Sequence, residues 1–257
     1  MDRDLVRFSR LLRPLGTPRR ARAEKAYLKS ELRFLGVTLP DIRRVARAFV
    51  SEHPELDARR LRVIAEGAYA TKTHEQRSVA IALLELRAST LRARDLPWLI
   101  GLVRRSDTWA HVDWLAVKVI GPVIEREPKA RAILPHWAVD RSFWVRRTAL
   151  LAQHDALKAG AGDFTLFARL AASMLDEREF FIRKAIGWVL REVSKRRPQP
   201  VYAFLRDHRD RLSALTLREG AKYLSDAQRR RCQGTFVPAD GAPRHLSSGR
   251  RGADNKR

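Results

Sequence analysis

SDTWAHVDWLAVKVIGPV, residues 106–123, reads as one apolar-faced helix opening near Trp109, and the same kind of opening returns in SFWVRRTALLAQ at 142–153 and EFFIRKAIGWVLREV at 179–193. Trp144 follows Trp109 by 35 positions, which suggests a repeat. Extending the search along the chain places helix starts near residues 41, 75, 109, 143, 179 and 214, at spacings of 34, 34, 34, 36 and 35. Between them a second helix fits near 56–69, 95–104, 128–138, 163–175 and 199–209. A helix pair recurring at this period is the signature of an α-solenoid, because a single pair cannot bury its apolar stripe without a neighbour. The tetratricopeptide pattern of Trp, Leu-Gly and Tyr is missing, so the expected fold is all-α, an α-solenoid of HEAT-like helix pairs. Its concave face would be lined by one helix of each pair. A non-repetitive helical bundle is the alternative.

Outward from this centre, strand signals are nearly absent. Residues 23–35, AEKAYLKSELRFL, place Ala23, Ala26, Tyr27, Ser30 and Phe34 on one helical stripe with Lys25, Lys29 and Arg33 off it. That spacing predicts a helix stopped by Gly36, with Pro40 and Asp41 opening the next. Pro54, Pro97, Pro128 and Pro198 each mark a change from one helical pattern to another. From about 237 the chain, VPADGAPRHLSSGRRGADNKR, turns rich in Gly, Pro, Ser and Arg without an apolar period. The expected organisation is one repeat domain at 1–236 and a disordered basic tail at 237–257.

The 257 residues carry 52 Lys+Arg against 29 Asp+Glu, a formal charge of +23, and 45% are apolar. The apolar share is too high for a wholly disordered basic protein. The tail holds only +3 of the excess, so +20 belongs to the repeat part. A field of this sign favours a polyanion, nucleic acid before an anionic membrane. The compositional alternative is coding bias, since 42 of the 52 cations are arginine. A single cysteine, Cys232, excludes an intrachain disulfide, and no Cys/His cluster has metal spacing. The amino-terminal stretch is broken by Arg3, Arg7, Arg10 and Arg13, unlike a signal peptide, and no apolar run is long enough to span a membrane. The expectation is a soluble cytoplasmic, nucleoid-associated protein, monomeric, without metal, cofactor or membrane partner.

Phosphate loops, dinucleotide-binding glycines, nucleophile elbows and His-Glu-x-x-His motifs are all missing. What remains is a cluster of aromatic and charged residues in the middle repeats. Trp109 and Asp113 stand four apart and share a helix face. Trp144 and Arg147 follow one repeat on, then Arg183, Lys184, Trp188 and Arg191 on the next first-of-pair helix. In a solenoid these side chains converge on one surface. Each also has a structural reading. Trp98, Trp114 and Trp137 fit core packing, Trp144 fits packing between repeats, His111 falls one position off the face, and Asp113 could serve an arginine of a neighbouring repeat.

The order AEKAYLKSELRFLGVTLPDIRR (23–44), TWAHVD (108–113), FWVRRTALLAQ (143–153) and EFFIRKAIGWVLRE (179–192) resembles the DNA alkylation repair family, the AlkD-like DNA glycosylases built of HEAT-like repeats. The similarity runs from about residue 20 to about 224, and FFIRKAIGWVLRE is its most specific segment. The resemblance implies that the family's active-site tryptophan and aspartate fall on Trp109 and Asp113, its arginine on Arg147, its second tryptophan on Trp188, and a DNA-facing aromatic on Tyr27. Two positions depart: the family commonly has an acidic residue where this chain has Ala110, and often a tryptophan where it has Thr108.

Such enzymes excise N3- and N7-alkylated purines from double-stranded DNA, leaving an abasic site. The substrate base already carries positive charge and leaves neutral, so no general acid is needed. One carboxylate, Asp113, would stabilise the oxocarbenium-like sugar and position water. Trp109 and Trp188 would press their faces on the deoxyribose, Arg147 would hold a backbone phosphate, and Arg183, Lys184 and Arg191 would add to the DNA-binding face. The base would be trapped against an open surface without entering a deep pocket, and unmodified bases would be spared as poorer leaving groups. A non-catalytic repeat protein that binds unusual DNA, and a protein-binding solenoid, are the competing readings.

Overall fold

The computed structural model describes residues 3–233, and all regular elements in it are helical. The expected tail lies outside the described residues. An N-terminal pair, α1 (Arg3–Leu12) and α2 (Pro18–Leu28), is followed by α3 (Leu39–Glu52) with α4 (Ala58–Ala70), and α5 (His74–Leu86) with α6 (Leu96–Arg104). Next come α7 (Trp109–Trp114), which runs through a π-helical segment (Leu115–Ile120) into α8 (Gly121–Arg126), and α9 (Leu134–Ala138). Then α10 (Phe143–Leu151) with α11 (His154–Lys158) and α12 (Phe164–Ser173), α13 (Phe180–Ser194) with α14 (Pro198–Asp207), and α15 (Ala214–Gly220) with α16 (Asp226–Gln233) complete the stack. The starts at Leu39, His74, Trp109, Phe143, Phe180 and Ala214 match the repeat read from the sequence. The first helices of successive pairs, α3, α5, α7–α8, α10, α13 and α15, pack on one another as a continuous row. The architecture is an all-α solenoid.

The row is the dry spine. In α5, every residue from His74 to Leu84 is buried, because the helix has neighbours on all sides and needs no polar face. Arginines staple one pair to another across the stack: Arg77 to Asp107 (2.7 Å), Arg105 to Glu66 (2.8 Å), Arg104 to Asp140 (2.5 Å), Arg146 to Glu177 (2.8 Å) and Arg211 to Asp176 (2.5 Å). Most of these pairs are exposed, and surface pairs of that kind add little to stability. Together they fix which pair neighbours which.

The structure corrects the expected helix at 23–35. Helix α2 ends at Leu28, where Lys29 adopts a left-handed conformation (φ 48°), and the chain continues irregularly to Thr38. Ala23, Ala26 and Tyr27 are exposed, while Ser30 and the neighbouring leucines Leu28 and Leu32 are buried, so only part of the stripe read there reaches the core. The reason lies one repeat away. Glu75, fully buried, accepts hydrogen bonds from the backbone N–H groups of Leu35 (2.9 Å), Gly36 (2.6 Å) and Val37 (3.3 Å). Arg33 and Thr73 form an isolated parallel bridge. This carboxylate in a nest of amides is worth more than continuing the helix. Gly36 does not stop a helix; it sits inside this loop at φ 79°, where a Cβ would meet the Thr17 carbonyl oxygen at 2.3 Å.

The π segment has a local cause as well. Pro122 has no N–H to give the Lys118 carbonyl and its ring crowds that carbonyl. The helix widens ahead of it, and the Gly121 N–H reaches the carbonyl of Ala116, five residues back. A side chain at 121 would lie 2.7 Å from the Ala152 carbonyl oxygen, so glycine lets α8 approach the end of α10.

Candidate active site

Helix α7 carries the site, and its entry is fixed from below. Thr108 caps it, accepting from the Ala110 N–H (3.3 Å), so this departure from the family pattern serves as an N-cap. Arg77, buried in α5, donates to the Asp107 carboxylate and to the carbonyls of Arg105 (3.1 Å) and Tyr69 (2.9 Å). Ser106 and the Tyr69 hydroxyl share a hydrogen bond (3.1 Å), and burial pushes the Tyr69 phenol up to about 12. His111, one position off the face of Trp109 and Asp113, is buried: it hydrogen-bonds Ser78 (3.1 Å) and stacks on His74, which stacks in turn on Phe34. Burial lowers the His74 imidazole to about 4 and takes His111 well below its ordinary value.

Above this base, a cleft of about 450 Å³ is lined by Tyr27, Lys29, Trp109, Trp144, Phe180, Phe181 and Lys184, among others. The Tyr27 ring meets Trp109 edge-on at 5.7 Å. Trp144 packs on Phe143 (4.2 Å) and Phe181 (4.9 Å). The Lys184 ammonium lies 5.6 Å from the centre of the Phe180 ring and 6.0 Å from that of Trp109. Both lysines are exposed, so the cleft joins aromatic faces to cations that can meet phosphate.

One turn beyond Trp109, Asp113 meets Arg147 of the next pair. Arg147 Nε donates to Asp113 Oδ1 at 2.7 Å and Nη2 to Oδ2 at 2.8 Å, while Nη1 donates to the Phe181 carbonyl. The Asp113 side chain keeps 15% exposure and that of Arg147 only 2%. Arg147, expected to hold a backbone phosphate, has its guanidinium buried and turned to the Asp113 carboxylate. The structural reading of Asp113, as partner to a neighbouring repeat's arginine, describes the pair as it stands. Arg147 ties Asp113 to the strip of α13 that carries Phe181.

The remaining sequence candidates divide. Tyr27, Trp109 and Lys184 meet in the cleft. Trp188, one turn past Lys184, does not line it; its ring packs on His154 (4.5 Å), which bonds Asp155 (2.9 Å). The His154 bond, with that of Lys118, lowers the Asp155 carboxyl to about 2. Arg183 gives its Nε–H to the Glu177 carbonyl (2.7 Å). Arg191, expected to contact DNA, is engaged by Glu219 and Glu192 and ties α13 to α15. Phe180, Phe181 and Lys29 are not among the residues the sequence pointed to, whereas Trp144 is. Trp144 read as packing, and it does both; the left-handed turn that brings in Lys29 has no local signal. Trp98 and Trp137 are core residues, as read, while Trp114 is half-buried and gives its indole N–H to Glu85 (2.6 Å). Among the described residues no group of His, Cys, Asp and Glu could hold a metal ion, and no helix is long and apolar enough to cross a membrane.

A family model described as DNA alkylation repair enzyme matches residues 8–224. Among solved structures, the chain is similar to a predicted DNA alkylation repair enzyme from Enterococcus faecalis, at 27% identity and a TM-score of 0.74, over 82% of this chain and 97% of that one. Two structures from Streptococcus mutans share the fold at lower identity. One is smu.31 of strain UA159 (19%, TM-score 0.57, 80% of this chain and 97% of that one). The other is AlkD2 (18%, TM-score 0.57, 73% and 91%). No curated protein matches the chain.

Proposed function

The chain belongs to the DNA alkylation repair enzyme family, and from that premise we propose that it is a DNA glycosylase hydrolysing the N-glycosidic bond of N3- and N7-alkylpurines in duplex DNA. The observation that carries this reading is a partly exposed carboxylate, Asp113, held by two hydrogen bonds on the helix that also carries Trp109 into the aromatic cleft. Arg147 balances its charge, so the carboxylate can sit beside DNA without repelling phosphate and still turn its open side to a developing cation.

The alkylated base supplies that cation. As the bond from C1′ to the purine nitrogen breaks, its electron pair returns to the purine and neutralises the ring, so the base needs no proton from the protein. Positive charge moves to the sugar, where Asp113 stabilises it. Water adds to C1′ and gives up its proton to solvent or to Asp113. The Arg147 bonds use one direction on each carboxylate oxygen, leaving the others for sugar and water. Tyr27, Trp109 and Trp144 offer ring faces and edges to the displaced nucleotide, worth about 1–3 kcal/mol for each stacked base. Lys29 and Lys184 flank the cleft to hold the strand.

Incubation with duplex containing N7-methylguanine should release free base and leave an abasic site, with Asp113→Asn losing most of the rate. Equal, slow release by both proteins would overturn the reading. Salt-sensitive duplex binding with no abasic product at any alkylated base would favour a non-catalytic DNA-binding role.

A further inference from the structure

We infer that the N-terminal end of the solenoid carries a second DNA contact, a phosphodiester clamp built from Arg10, Arg13 and Arg33, which takes the backbone of the duplex beside the lesion. The inference rests on the reading of this protein as one that binds duplex DNA, and extends it to a surface outside the catalytic cleft.

A cleft of about 600 Å³ opens between α1, the loop after α2 and the junction of α4 with α5. Its lining includes Arg10, Arg13, Arg33, Ser9 and Thr71. Arg10 and Arg13 stand three apart, so both reach the same side. Arg33 is held at both backbone ends, its N–H on the Lys72 carbonyl (3.0 Å) and its carbonyl on the His74 N–H (2.9 Å). One of its terminal nitrogens also donates to Thr73 Oγ1 (3.1 Å), which aims the fork. The Ser9 hydroxyl oxygen accepts from Gln76 (2.5 Å), leaving its own proton to donate.

Unlike Arg77, Arg105, Arg146 and Arg147, which face carboxylates, Arg10, Arg13 and Arg33 have no carboxylate within ion-pair distance among the described residues, and all three line one concavity. Nearby acids are taken: Asp4 by Arg60, Glu31 by Lys25 and Glu52 by Arg7. Three cations around a concavity hold a strongly positive potential, and forks of this shape bind phosphate oxygens in pairs.

Position selects the duplex backbone over a free anion. Arg33 lies only four residues past Lys29, which lines the catalytic cleft. Four residues span at most about 14 Å, the axial rise of about four nucleotides of one strand. A strand seated at Tyr27 and Lys29 therefore passes the clamp within about four nucleotides.

The test is binding of undamaged and N7-methylguanine duplexes, followed by fluorescence anisotropy over a range of salt, for wild type, Arg33→Gln, Arg10→Gln/Arg13→Gln, and the charge-keeping Arg10→Lys/Arg13→Lys. Melting temperatures check folding. The slope of log K against log salt should fall by about 0.9 for each phosphate contact removed, in both duplexes, with the lysine variant near wild type. Single-turnover base release at saturating protein should be unchanged. Unaltered slopes in both glutamine variants would overturn the clamp, as would tight binding of inorganic phosphate, lost in those variants, without any change in duplex slope. Undamaged duplex needs no catalysis, so failure of the glycosylase reading would show separately, as absent base release with the slopes still shifted.

Discussion

Arg147 and Asp113 belong to different helix pairs and meet through two parallel hydrogen bonds of 2.7 and 2.8 Å, with Phe181 of a third pair accepting from the same guanidinium. Three repeats thus converge on one guanidinium. Removing Arg147 strands Asp113 and the Phe181 carbonyl. Arg147→Ala should cost about 3–5 kcal/mol in urea denaturation, and Arg147→Lys less, while both lower base release. Asp113→Asn keeps the shape and should lose about 100-fold or more in single-turnover rate. A rate loss in Arg147→Lys larger than in Asp113→Asn would mean that the arginine, not the carboxylate, acts on the substrate.

Tyr27 is 71% exposed and meets only the edge of Trp109. Tyr27→Ala should leave stability within about 0.5 kcal/mol, yet weaken lesion processing by the 1–3 kcal/mol of a stacked base, about 5- to 150-fold. Tyr27→Phe should restore most of it. A Tyr27→Ala protein that melts early would assign the ring to the fold instead.

Glu75 holds the loop that follows α2, the helix that carries Tyr27. Glu75→Ala orphans the amides of Leu35, Gly36 and Val37 and should cost about 3 kcal/mol or more. Amide hydrogen exchange over residues 30–38 should quicken ahead of global unfolding. Unchanged exchange there would show that the Arg33–Thr73 bridge suffices.

Stability should depend on pH through the stacked histidines. His74 titrates near 4 in the fold, lowered by burial and then by Arg77 and Arg20, against an ordinary 6.5. The unfolded chain therefore binds the proton first, and stability falls as pH drops from about 6.5 to about 4. The full shift corresponds to about 3 kcal/mol for His74, and His111 adds in the same direction. Glu24, whose carboxyl is raised chiefly by burial, opposes the trend near the lower end. Urea midpoints at pH 7, 5.5 and 4.5 check this, and His74→Phe should flatten the profile.

Helix starts were legible because apolar spacing and caps are local: Thr38 with Pro40, and Thr108 ahead of Trp109, mark their helices in the chain itself. The α2 boundary was not, because Glu75, 40 residues beyond Leu35, holds the loop that follows it. That Trp109 and Asp113 share one helix face was legible from their spacing alone. The partner of Arg147 was not, since only the stack reveals whether a guanidinium faces solvent or a carboxylate, and the same holds for Arg191.

The π-helical stretch under Asp113 sets an angular condition on the whole site. A π turn holds one residue more than its α counterpart, and each residue of an α-helix advances about 100°. Closing the helix to regular pitch with every residue kept would swing Trp109 and Asp113 away from Tyr27 and Arg147 by about that angle, whereas deleting one residue between 115 and 120 would close it without the swing. The alignment of the carboxylate with its arginine is thus a matter of phase, kept by the wide turn that takes up a single extra residue ahead of Pro122.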